Sequence, residues 1–164
     1  KHESNTFCSL MEKKFKLNFI SCEKVQDACA ADILVTTTPV FKPVVKKEWV
    51  RPGTHINAIG ADAPGKQELE TNLLLKSKVI VDEWGQSSHA GEINVAFSEG
   101  RIKRADITAE LGQIVARNKK GRTKKGDITI FDSTGLAIQD VATALVLYKK
   151  ALKLKKGKVL QFHG

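Results

Sequence analysis

Apolar positions at the start of the chain fall at helical spacing. Phe7, Leu10, Met11 and Phe15 stand at i, i+3, i+4 and i+8, which predicts an amphipathic helix. The pattern then shortens. Residues 17–21 (LNFIS) read as a short strand, 23–30 (EKVQDACA) as a short helix, and 31–39 (ADILVTTTP) as a strand whose apolar run ends in threonines and a proline. THINAIG, KVIVD and DITIF continue the strands, with helices predicted around 68–75, before Gly91 and over 109–117. After Ser133 comes the longest helical pattern, 136–154, and then a final short strand, KVLQF. Short apolar strands alternating with helices predict an α/β fold, a parallel sheet covered on both faces.

In such a sheet ligands sit at the carboxyl ends of the strands, so the loops there carry the candidate chemistry. Four stand out: 36–39 (TTTP), 60–66 (GADAPGK), 82–92 (DEWGQSSHAGE) and 132–135 (DSTG). The second satisfies G-x-x-x-x-G-K, the phosphate-cradling pattern, and KVIVDE resembles the acidic strand that would hold magnesium. The match fails where the chemistry is strict. Gln67 replaces the metal-coordinating Ser or Thr, Asp62 puts a negative charge inside the loop, and Pro64 removes an amide. The alternative use of the same residues is proton transfer. Asp62 at the mouth of a strand is placed to act as acid or base, with Lys66 reaching a ribose, phosphate or carboxylate. A plain turn residue followed by a helix-start cation would give the same two letters.

THINAIGADAPGKQEL, KVIVDEWGQSSHAGEINV and ITIFDSTGLAIQDVATA, in that order, resemble the family of ornithine cyclodeaminase, archaeal alanine dehydrogenase and mu-crystallin. The resemblance runs through most of the chain. It implies a partial Rossmann-like, doubly wound parallel sheet over residues 1–133, without its first strands and its G-x-G-x-x-G/A turn. Residues 134–164 would then be a C-terminal helix and strand returning towards a substrate and dimerisation domain built mostly from a preceding half. The implied cofactor is NAD or NADP, the implied substrate a small amino acid, and the implied assembly a homodimer.

Carried over by position, the resemblance makes Asp62 the acid/base and Lys66 a cofactor contact. Thr36, Thr37 and Thr38 border the cofactor, and Asn57 and the small Ala58 lie on the strand reaching the nicotinamide. Ser133 faces the cofactor, Thr134 and Gly135 the substrate, at the entry of the long helix, where a hydroxyl is also expected to cap the helix. His89 and Glu92 fall on a shaped loop and helix start, and His55 on a strand as a satisfied core residue. The family's shared first step is removal of hydride from the Cα of an amino acid, giving an imine. Water then completes a dehydrogenase reaction, or the side-chain amine completes a cyclodeamination.

The cyclodeaminase-like loop reads closer to GDCPGKTEL, so Ala61, Ala63 and Gln67 favour the dehydrogenase, and Asp62 argues against the ketimine-reductase branch, which lacks it. L-Alanine is therefore the expected substrate. Ornithine cyclodeamination and a non-catalytic NAD(P)-binding homologue stand as alternatives.

Composition narrows the field further. The 164 residues are 41% hydrophobic, enough for a globular core. They contain no run of about 18 apolar residues, and KHESNTF lacks the apolar stretch of a secretory signal, so a cytoplasmic location away from membranes is expected. Cys8, Cys22 and Cys29 fit no paired metal-ligand spacing, and no metal site is expected. The net charge of +9 concentrates in two runs, RNKKGRTKK and KKALKLKKGK, which hold 12 of the 27 basic residues. Neither run is interleaved with aromatic residues for base stacking, so a solvated surface rather than a nucleic-acid footprint is expected.

Overall fold

The computed structural model describes residues 2–158 and Leu160, so most of the predicted last strand, KVLQF, lies outside the described residues. Five parallel strands form one sheet in the order β1-β2-β5-β3-β4. They are β1 (Ile33–Thr36), β2 (His55–Ala58), β3 (Lys78–Val81), β4 (Ala109–Glu110) and β5 (Thr129–Asp132). Between and around them run α1 (His2–Phe15), α2 (Val25–Cys29), α3 (Thr71–Leu75), α4 (Trp84–Ala90), α5 (Asn94–Ser98), α6 (Leu111–Val115) and α7 (Ala137–Lys153). The α/β architecture expected from the alternation is therefore present. Two compact units divide after Thr134.

Register explains where the core sits. Leu34, Ile56, Ile130 and Val79 are laterally paired across four strands and are all buried. Leu69, Leu73 and Ile93 join them with no exposed surface. Each such side chain contributes on the order of 1.5–3 kcal/mol by leaving water. The next buried row, at the carboxyl ends, is Thr36, Ala58, Asp132 and Val81, so the chemistry-bearing rim is continuous with the core.

The other face is open at its β1 edge. Ile33 is 64% and Val35 56% exposed there. Nearer the sheet centre, Leu111 and Ile114 of α6 face Phe131 and Ile80 across an open hollow of about 500 Å³.

Two predicted elements differ. Residues 17–21 are not a strand: a strand needs a ladder partner, and none is supplied among the described residues. Lys16 instead turns left-handed (φ 55°), and the Phe19 amide donates to Glu12 at 3.2 Å, folding the segment back along α1. The helix predicted over 109–117 loses its start to the sheet, where Ala109 and Glu110 pair with Ile80 and Val81, and it ends before Arg117 (φ 61°).

The basic segment after α6 is an ordered turn. The Asp127 carboxylate accepts the amides of Thr123 and Lys124 and the Thr123 hydroxyl, which lowers its pKa to about 2. Arg122 donates to the Asp127 carbonyl and to the Thr129 hydroxyl. In the C-terminal unit, α7 carries an exposed apolar stripe of Ile138, Val141, Leu145, Tyr148 and Leu152. No helix among the described residues is long and apolar enough to cross a membrane.

Candidate active site

The loop after β2 bends back at Gly60 and returns at Glu68, with Asp62 at its tip. Its backbone is held at every turn. Gly60 N donates to Glu68 Oε2 (3.0 Å), Gly65 N to Asn94 Oδ1 (2.8 Å), Gln67 N to the Val40 carbonyl (3.1 Å) and Glu68 N to the Glu92 carboxylate (3.0 Å). Asn94 returns a bond from Nδ2 to the Lys66 carbonyl at 2.8 Å. Gly65 adopts φ 84°, which a side chain would strain. These amides are committed to protein acceptors, so the loop is not a phosphate cradle, and the Gln67 side chain turns inward onto Leu69 O and Thr71 Oγ1.

Asp62 itself points out. Its side chain is 65% exposed, and the Lys66 side chain, only 19% exposed, brings Nζ to Oδ1 at 2.5 Å. The hydrogen bond from Lys66, and then the ammonium charge, hold the Asp62 carboxyl below the usual carboxylate range. The carboxylate is therefore ionised at neutral pH.

Four other carboxylates, Asp82 and Asp132 at strand ends and Glu68 and Glu92 further along the loops, face inward. Asp82 accepts Thr134 N (2.7 Å), Thr134 Oγ1 (3.1 Å) and Ser87 Oγ (3.2 Å), and lies 3.4 Å from Ser133 Oγ. Asp132 accepts Glu92 N (2.9 Å) and Ile93 N (3.2 Å), while burial pushes its pKa up to about 7. Glu92 accepts Glu68 N and Leu69 N, and burial raises its pKa well above the ordinary value. Glu68 accepts Thr38 N, Thr38 Oγ1 and Gly60 N. None of these four was singled out from sequence as an acid that holds loops. The available signal was an acidic residue flanked on one side by an apolar one, in QEL, GEI, VDE and FDS.

The predicted site residues divide between the two sheet faces. Thr36 and Ala58 lie on the buried face and Asn57 on the open one, since side chains alternate along β1 and β2. Among the described residues, the Thr36 hydroxyl is buried without a partner. Thr37 is exposed, and the Thr38 hydroxyl is already given to Glu68. Ser133 and Thr134 do not cap the long helix as expected. They are drawn to Asp82, and the cap position falls on Leu136, which has no side-chain oxygen to offer. Gly135 takes φ 76° at the exit.

His55 is satisfied through Nδ1 by the Thr129 hydroxyl at 2.7 Å. Of the three positions used to rank the activities, Ala61 and Gln67 are buried. No group of three or more His, Cys, Asp or Glu side chains among the described residues is placed to hold a metal ion.

Gly60 also explains its own identity. A Cβ there would collide with the Thr38 carbonyl and stand 2.6 Å from the Glu68 carboxylate. Gly60→Ala is expected to destabilise the complete protein by roughly 1–3 kcal/mol, the usual cost of overpacking, read as a lowered denaturation midpoint. A midpoint equal to the wild type would contradict the close approach.

The parallel sheet with an acid at the rim of its carboxyl ends defines an α/β domain of the NAD-binding type found in the solved structures it matches. The chain belongs to the ornithine cyclodeaminase/mu-crystallin family, whose model matches residues 1–155.

It is 55% identical over 142 residues to the alanine dehydrogenase of Archaeoglobus fulgidus, covering 87% of this chain and 44% of that protein. A solved archaeal alanine dehydrogenase dimer with bound NAD superposes with a TM-score of 0.90 at 51% identity, covering 97% of this chain and 49% of that one. The Δ1-pyrroline-2-carboxylate reductase of Thermococcus litoralis, in complex with NADH and L-proline, gives a TM-score of 0.90 at 37% identity, over 95% of this chain and 49% of that one. The chain thus spans about half the length of the relatives it matches.

Proposed function

We propose that the complete protein is an NAD-dependent amino-acid oxidoreductase, most simply an alanine dehydrogenase acting as a homodimer, and that this chain supplies the nicotinamide-facing wall of its active site. The observation that carries this reading is Asp62, an ionised and exposed acid at the tip of a loop whose backbone is fixed on both sides. Similarity to an alanine dehydrogenase and to NAD- and NADH-bound structures supports the same reading.

The residues present suit the nicotinamide end of a dinucleotide. Asp82, Asp132, Glu92 and Glu68 are turned onto backbone amides and hydroxyls, so a ligand at the rim meets Asp62 and Lys66 rather than a ring of negative charge. Thr37 and the open face beside Asn57 offer further contacts. NADP would use the same residues.

When bound, NAD would supply the acceptor for the hydride on the substrate Cα. Asp62 would take a proton from the water that attacks the imine carbon and pass it to the nitrogen, then take the remaining hydroxyl proton as ammonia departs and the keto acid forms. A carboxylate held by Lys66 is a weak base. Transfer of Lys66 to the cofactor or substrate releases Asp62 and raises its pKa towards the range where proton transfer is efficient. In the complete protein, Lys66→Met is expected to move the Asp62 titration midpoint upward towards 3.8, followed by carbon NMR of the carboxyl group. An unmoved midpoint would dissolve the pair.

The activity itself is tested by supplying L-alanine and NAD and recording absorbance of the reduced cofactor. No signal with alanine, but conversion of ornithine to proline, would replace the dehydrogenase by the cyclodeaminase. Cofactor binding without turnover of either amino acid would favour a binding protein.

A further inference from the structure

Three buried carboxylates form a connected chain beneath the rim. Asp132, the last residue of β5, accepts the amides of Glu92 and Ile93; Glu92 accepts those of Glu68 and Leu69; and Glu68 accepts those of Thr38 and Gly60. Each is fully buried and each bonds to backbone. The end of the chain is the informative part. Glu68 Oε1 takes Thr38 N at 2.5 Å and Thr38 Oγ1 at 2.7 Å, while Oε2 takes Gly60 N at 3.0 Å. One carboxylate thereby joins the loop after β1 to the loop after β2.

Glu68 is itself held from behind. Its carbonyl accepts Val44 N (2.8 Å) and Val45 N (3.0 Å), and its amide is bound by Glu92. It cannot shift without moving the segment on either side. It touches neither the rim surface nor Asp62, which lies six residues earlier on the exposed tip.

We infer that Glu68 is a positioning residue for the reaction, setting the separation between the cofactor-bordering threonine loop and the loop that carries Asp62. This rests on the proposal that those two loops flank the nicotinamide. A shared acceptor suits the task because it fixes both backbones, and the Thr38 hydroxyl, with one rigid group. A loop error of about 1 Å at a reacting centre costs about a hundredfold in rate, so the effect is expected in turnover rather than in binding.

The test compares Glu68→Gln, Thr38→Val and Thr38→Ser with Asp62→Asn in the complete protein. Gln keeps the volume of Glu68 but turns one acceptor into a donor that faces an amide donor. Glu68→Gln is expected to lower kcat about tenfold to a hundredfold, with the Kd for NADH changed less than about threefold and the acid limb of the pH profile unmoved. Thr38→Val removes one bond to Glu68 at an exposed position and should lower kcat by a few-fold, with Thr38→Ser restoring it.

A folded Glu68→Gln protein with wild-type kcat overturns the inference. So does a Thr38→Val loss that appears only in NADH affinity, and this second variant decides the matter if Glu68→Gln does not fold. Active Asp62→Asn would instead refute the underlying reading of the site, whatever Glu68 does.

Discussion

Asp62→Asn in the complete protein is expected to lower kcat by about 10²–10⁴, the usual contribution of a positioned acid or base, while NADH binds as before. The substitution is nearly isosteric and sits on a side chain that is 65% exposed, so it removes the proton-accepting group with little effect on packing. The Lys66 contact weakens from an ion pair to a hydrogen bond from the ammonium to an uncharged amide oxygen. That loss affects stability little, because solvent screens an ion pair on an exposed carboxylate. Steady-state turnover and a fluorescence titration with NADH separate the two quantities. Turnover within a factor of three of the wild type would remove Asp62 from the chemistry.

The second large effect concerns Asp132. Asp132→Ala leaves the amides of Glu92 and Ile93 without an acceptor in a fully buried setting, at about 1–3 kcal/mol for each orphaned donor. The loss is read by chemical denaturation of the complete protein at neutral pH, and an unchanged midpoint would mean that the amides had found other acceptors.

The pH dependence has a definite sign. Burial raises the native pKa of Asp132 from 3.8 to about 7, so the unfolded chain gives up this proton first. The group's contribution to stability is fully present below 3.8 and is lost as pH rises to about 7. Asp132→Asn should flatten that decline, and a decline of equal steepness in the variant would place its origin elsewhere.

The architecture was legible in the sequence because its strands are short apolar runs between polar turns, and the strand exits at Ala58, Val81 and Asp132 follow directly. That Asp62 and Lys66 share one tight loop was legible, because Gly60, Pro64 and Gly65 frame them. The roles of Glu68, Glu92 and Asp132 were not. A buried acid is written with the same letter as a surface acid, and only the placement of amides from segments 23 to 40 residues away distinguishes them. The expectation for residues 17–21 failed for a related reason: apolar alternation encodes a strand's faces, while its pairing depends on a neighbour. The capping role expected of Ser133 and Thr134 failed because Asp82, 52 residues from Thr134, competes for the same hydrogen bonds.

Grip by the main chain has an evolutionary corollary. Glu68 holds Gly60 by its amide and Thr38 by its amide as well as its hydroxyl, and Asn94 holds Gly65 and Lys66 through their peptide groups. A side chain at position 63 can therefore be exchanged without displacing the acid beside it. Such a scaffold tolerates exchange of side chains at the loop tip while the peptide groups on either side stay fixed, so the path of the loop is insulated from drift in its own sequence.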